Sequence, residues 1–122
     1  MVLDSNIIIA YLVGDKEVIK HLNYWKLEEK LFFIPAIVET EILSFPKMTV
    51  KEIEMTTKFL ETFIFISLDR ATSRLAAKLR REYSIKLADA SIAATAIFLE
   101  VPLVTRNIRD FKKIEELNII SI

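Results

Sequence analysis

Cysteine and glutamine are absent from this 122-residue chain, and histidine and glycine occur once each, as His21 and Gly14. Without cysteine there is no disulfide scaffold, no thiolate metal site and no cysteine nucleophile. One histidine excludes a multi-histidine zinc site. Charge of one sign is also missing. Seventeen Lys and Arg against seventeen Asp and Glu give a formal net charge of zero. Nucleic acid, if bound, must then be held by a local patch and not by a global field. No apolar run, Phe63 to Ser67 among them, approaches the ~18 residues of a membrane span. The chain opens directly into Val2, Leu3 and Asp4, with no basic segment leading into an apolar one. A signal peptide is not expected, membrane association is not expected, and the expected location is cytoplasmic.

What is present is a core-forming composition. Hydrophobic residues make up 52% and charged residues 28%, and the mean hydropathy is +0.34. These values exclude a disordered or collagen-like chain. The length fits one domain over residues 1–122, able to bury roughly two-thirds of its unfolded surface.

The hydrophobic period alternates between strand and helix lengths. Met1 to Leu3 reads as a short buried strand running into Asp4, Ser5 and Asn6, and Ile7 to Val13 as an apolar helix ending near Gly14. Asp15 can cap a helix that sets Val18, Ile19, Leu22 and Trp25 on one face. Leu31 to Ile34 has strand length. Pro35 fits the first turn of a helix over Ala36 to Ser44, which Pro46 stops. Thr49 opens a helix through Ile53, Thr57, Leu60 and Phe63, which turns into a third strand at Phe63 to Ser67. Asp69 caps a helix to about Tyr83. A nearly all-apolar helix follows over Leu87 to Leu99, then a strand over Pro102 to Thr105. A short helix over Asn107 to Lys113 and a strand over Asn118 to Ile122 complete the chain. Short apolar strands alternating with helices imply an α/β fold with a parallel sheet covered on both faces. Ligands of such sheets sit at the carboxyl ends of the strands.

Acids fall at those positions. Asp4 follows the first strand, where it can equally be an N-cap, with Ser5 and Asn6 able to orient it. Glu39 and Glu41 share a helix but point roughly 200° apart, so only one can face the strand ends. Glu41 has the apolar neighbours Ile42 and Leu43, and Glu39 reads as a solvated residue. Asp89 lies in Leu87-Ala88-Asp89-Ala90-Ser91-Ile92-Ala93-Ala94-Thr95-Ala96, where a carboxylate must take up a proton or find a cation. The bland alternative is a first-turn acid favoured by the helix dipole. Asn107 and Asp110 follow a later strand and can equally be a cap and a surface residue. Together these acids, from distant segments, would repel one another without a cation. An all-oxygen set of this kind suits Mg²⁺ or Mn²⁺.

Four stretches carry a resemblance: Val2-Leu3-Asp4-Ser5-Asn6, Ile37 to Leu43 around Glu39 and Glu41, Leu87 to Ala96 around Asp89, and Leu103-Val104-Thr105-Arg106-Asn107-Ile108-Arg109-Asp110-Phe111. In this order they resemble the PIN domain family, and within it the short VapC-type toxins. The resemblance implies a three-layer α/β/α fold and Mg²⁺- or Mn²⁺-dependent cleavage of RNA. It matches Asp4, Glu41 and Asp89 to the family's acids. At the fourth acidic position this chain has the amide Asn107, with Asp110 the nearest carboxylate. Ser5, Asn6, Thr105 and Asn107 would support the pocket. The resemblance also implies a homodimer and a small antitoxin partner. Ile8, Tyr11, Leu12, Leu22, Trp25, Met55 and Phe59 are candidates for that interface or for the core.

A divalent ion held by Asp4, Asp89, Glu41 and Asp110 would activate water for phosphodiester hydrolysis, with no protein nucleophile. Arg106 and Arg109 stand beside the pocket as candidate RNA-phosphate ligands. Arg70, Arg74, Lys78 and Arg81, at steps of four, four and three, share a helix face that reads as solvated and paired with local acids. His21 reads as structural. Competing functions are a catalytically weak PIN-like binding module, which Asn107 keeps open, and a phospho-receiver-like signalling domain. The latter lacks a second acid after the first strand, and Asn6 weakens an Asp-x-Asp phosphatase in the same way.

Overall fold

The structure, a computed structural model, describes residues 1–122. Its elements are β1 (Val2–Leu3), α1 (Ser5–Leu12), α2 (Lys16–Leu27), β2 (Phe33–Pro35), α3 (Ala36–Leu43), α4 (Val50–Leu60), β3 (Ile64–Ile66), α5 (Arg70–Tyr83), α6 (Leu87–Leu99), β4 (Leu103–Val104), α7 (Ile108–Phe111) and β5 (Ile119–Ile120). The five strands form one parallel sheet in the order β3-β2-β1-β4-β5, with Val2 registered against both Phe33 and Leu103. Helices cover the sheet, giving the expected α/β/α arrangement.

Local chemistry explains the helix starts. Asp15 accepts from the Glu17 and Val18 amides at 3.1 and 3.2 Å. Thr49 and Glu52 close a capping box, and Asp69 accepts from the Thr72 amide at 2.8 Å. Such caps contribute about 0.5–2 kcal/mol each. Ser84, at φ 54°, and Glu100, at φ 53°, adopt the left-handed conformation that ends α5 and α6.

Several elements are shorter than the sequence pattern or shifted from it, among them β2, which begins at Phe33 and not Leu31, and α4, which ends at Leu60 and not Phe63; two differences bear on the site. Helix α1 begins at Ser5 and not at Ile7, because Asp4 is its N-cap and accepts from the Ser5 amide. Pro35 is the last residue of β2 and caps α3 from outside, with ψ at 146°, so it does not enter the first helical turn.

The sheet core is dry. Val2, Leu3, Ile34, Leu103 and Val104 are buried, joined by Phe111 from α7. Residues Ala90 to Ala96 of α6 are all buried, so that helix runs through the interior. Its polar residues turn inward on their own backbone: Ser91 donates to the Leu87 carbonyl and Thr95 to the Ser91 carbonyl. Ile8 and Leu22, candidates for an interface, belong to this core. His21 is half-buried, bonded through Nδ1 to the Glu17 carbonyl and tilted against Trp25. No helix is long and apolar enough to cross a membrane.

Candidate active site

Because all strands run parallel, their carboxyl ends share one edge of the sheet. Strand β1 lies between β2 and β4, where the order of strands reverses direction along the chain. A crevice opens at such a switch point. Asp4 follows β1 and Thr105 follows β4, so the two residues meet there.

Asp4 is only 4% exposed. Its Oδ1 accepts from the Ser5 amide at 2.7 Å, and its Oδ2 accepts from Asn6 Nδ2 at 2.9 Å and from the Thr105 hydroxyl at 2.6 Å. Hydrogen bonds to a charged acceptor contribute about 1.5–3 kcal/mol each. Three of them match a burial penalty of several kcal/mol. Thr105 in turn accepts from the Asn107 amide at 3.0 Å, and Asn6 Oδ1 accepts from the Arg106 amide at 3.2 Å. Asp4 is therefore both the α1 cap and the hub of a network, and the two readings of it are compatible. Asn6 holds the place of a second acid and donates to Asp4 instead.

Glu41 and Asp89 approach this hub from α3 and α6. Partial burial raises the Glu41 pKa above its ordinary value, followed by the charges of Asp4 and Asp89, while the nearby Ser5 hydroxyl offsets part of the rise. Burial likewise raises Asp89, followed by the charges of Asp4 and Asp110, with Lys86 acting in the opposite sense. Glu41 thus faces the other acids while remaining open to solvent at the rim.

Asp110 sits across from Asp89. Its Oδ2 accepts from Asn107 Nδ2 at 2.9 Å. That bond, then Arg109 and Lys86, holds the Asp110 carboxyl below its ordinary pKa. Asn107 therefore orients an acid at this position.

The two candidate phosphate ligands differ. Arg106 is tied to the protein: Nη1 pairs with Asp15 Oδ2 at 2.8 Å, and Nε donates to the Ile122 carbonyl at 2.9 Å. Arg109 has a side chain 89% exposed, with only a loose 3.6 Å approach to Asp110. Lys86, which has no distinguishing motif, was not expected here. The only signal for it in the sequence was a cation one turn before Asp89.

The carboxylates form an open cluster. No three Asp, Glu or His side chains are drawn together tightly enough to enclose an ion. The donor set nonetheless fits a hard divalent cation, because every donor is an oxygen and burial, then neighbouring acid charge, raises the pKa of Glu41 and Asp89.

The family model for the PIN domain matches residues 1–117. The chain belongs to the PIN domain family. PIN domains are nucleases and generally use divalent metals. The PIN chain is similar to a toxin–antitoxin complex from Klebsiella pneumoniae, at 30% identity and a TM-score of 0.83, covering 98% of this chain and 94% of that one. It is similar to VapBC2 from Rickettsia felis bound to a promoter DNA fragment, at 25% identity and a TM-score of 0.86, covering 99% and 97%. It shares its fold with DNA-bound VapBC from Salmonella typhimurium, at 20% identity and a TM-score of 0.84, covering 98% and 96%. No curated protein matches the sequence.

Away from the carboxylates, the end of α1, the end of α3 and the start of α4 enclose an open apolar depression of about 500 Å³. Leu12, Val13 and Phe45 line it and are 43%, 78% and 53% exposed. Tyr11 does not contribute, because it stacks on Phe59 with ring centroids 5.2 Å apart.

Proposed function

We propose that this PIN domain, acting as one unit over residues 1–122, is an Mg²⁺- or Mn²⁺-dependent endoribonuclease and the toxin of a toxin–antitoxin pair. The observation that supports this reading is the buried, hydrogen-bonded Asp4 at the end of β1, whose charge reaches Glu41 on α3 and Asp89 on α6, while Asp89 in turn feels Asp110.

Asp4 and Asp89 would hold the cation from inside the crevice, and Glu41 and Asp110 from its rim. A cation held there would supply an acidified water and offset phosphate charge. The protein supplies the rest. Thr105, Asn6 and the Ser5 amide hold the Asp4 oxygens in one orientation. Asn107 does the same for Asp110. Arg109, whose side chain is exposed beside Asp110, would take a phosphate oxygen. Water adds to phosphorus and the 3′ oxygen leaves with a proton, giving 5′-phosphate and 3′-hydroxyl ends.

The solved structures it resembles are toxin–antitoxin complexes, which supports a small antitoxin as partner. The apolar depression beside Leu12, Val13 and Phe45 is a suitable seat for an amphipathic helix of that partner. A homodimer is proposed on the same footing. Incubating the protein with cellular RNA and Mn²⁺, and sequencing the ends, tests the reading. Metal-dependent cleavage with 5′-phosphate ends supports it, and intact RNA at all metal concentrations rejects it. Intact RNA together with partner binding would favour a catalytically weak binding module, for which the amide at Asn107 is the specific motive. Light scattering tests the dimer against the 14.1 kDa monomer mass.

A further inference from the structure

Helix α5 carries Arg70, Arg74, Lys78, Arg80 and Arg81 against the single acid Glu82, in a chain whose total charge is zero. All five cations are exposed. Only Lys78 has an ion-pair partner, Glu82 at 3.9 Å. The expectation of a face paired with local acids therefore fails for Arg70, Arg74 and Arg81.

The C-terminal end of this cationic helix leads to the carboxylates. Arg80 Nε donates to the Ile85 carbonyl at 3.1 Å, which fastens the α5–α6 turn. The next residue, Lys86, is the N-cap of α6; it is exposed and makes no capping bond with its side chain. It precedes Asp89 by three positions, at the mouth of the helix that carries that acid. Its charge is felt by Asp89 and Asp110 alike. Lys86 and Arg109 thus flank the acid cluster. A shallow depression beside Arg80 and Arg81 is lined also by Leu68, Ser73, Leu87 and Ser91.

The geometry points to a phosphate track for single-stranded RNA, running from Arg81 over Lys86 into the carboxylate cluster; it rests on the ribonuclease function proposed above. Cations without ion-pair partners take backbone phosphates without reading the bases. An acidic protein partner would satisfy the cations equally; RNA is favoured because the line of cations ends at the proposed hydrolytic site.

The test uses the Asp89→Asn protein, to prevent cleavage, and a short fluorescein-labelled single-stranded RNA, with anisotropy read across a salt series at constant Mn²⁺. Adding Arg81→Gln and Lys86→Gln should lower the slope of log K against log salt by about 1.4, from two contacts at about 0.7 each. The charge-matched pair Lys51→Gln and Lys58→Gln on α4 should leave it unchanged. An unchanged slope in the Arg81/Lys86 variant overturns the track while the function stands. A parent protein that binds no RNA at any salt overturns both.

Discussion

The Thr105 hydroxyl donates to Asp4 Oδ2 at 2.6 Å, joining residues 101 positions apart. This contact couples the first and fourth arms of the site, since the same hydroxyl oxygen accepts the Asn107 amide and Asn107 orients Asp110.

Thr105→Val keeps the shape and removes the hydroxyl. It removes one of the two donors to Asp4 Oδ2 and leaves the Asn107 amide without its acceptor, at a cost of about 1–3 kcal/mol. Mn²⁺ affinity should fall about 10–100-fold, as for other residues that orient metal ligands. Urea unfolding and calorimetry measure the two effects. Thr105→Ser should restore both, and equal losses in Val and Ser would contradict the hydrogen-bond account.

Asp89→Asn should abolish cleavage, by more than about 100-fold, and raise the stability of the metal-free protein. The sign follows from the raised pKa of Asp89 and Glu41. Between the ordinary carboxylate pKa and the raised one, the native state binds more protons than the unfolded state. Metal-free stability therefore falls as pH rises through that window. The variant should show a shallower fall in thermal melts taken across mildly acid pH. An equally steep fall would place the repulsion elsewhere.

Glu41→Gln should weaken Mn²⁺ binding and Glu39→Gln should not. Only Glu41 is directed at Asp4 and Asp89, as the roughly 200° between the two positions requires. Calorimetry on the pair decides; a larger loss at Glu39 reverses the assignment.

Arg106→Gln should act on structure before it acts on RNA. Hydrogen bonding to Arg106 is the main cause that holds Asp15 below its ordinary pKa, ahead of the Val18 amide. A carboxylate with a depressed pKa adds stability that is present above the ordinary value and lost as pH falls through the lowered one. In Arg106→Gln the Asp15 titration, followed by carboxyl NMR, should move up toward the ordinary value. No movement would mean that the pair does not persist in solution.

The elements that were legible in sequence are those governed within a turn or two of chain. Helix α6 runs over Leu87–Leu99 as its apolar pattern indicates, and Asp15, Thr49 and Asp69 cap their helices as their side chains dictate. Asp89 could be singled out because a carboxylate amid alanines needs a partner wherever the helix ends up. Other features had no local signal. Arg106 sits among site residues in sequence, yet its guanidinium meets Asp15, 91 positions away. Ile8 and Leu22 are periodic apolar residues that fit a core or an interface equally well, and only packing placed them in the core. Lys86 gains meaning only once α5 and α6 fold against each other. Caps and periodicity are set by interactions across three or four residues, so the sequence alone determined them. Which polar groups meet at the crevice depends on β1 lying beside β4, an adjacency produced by burial of the whole sheet, and that only the tertiary structure decided.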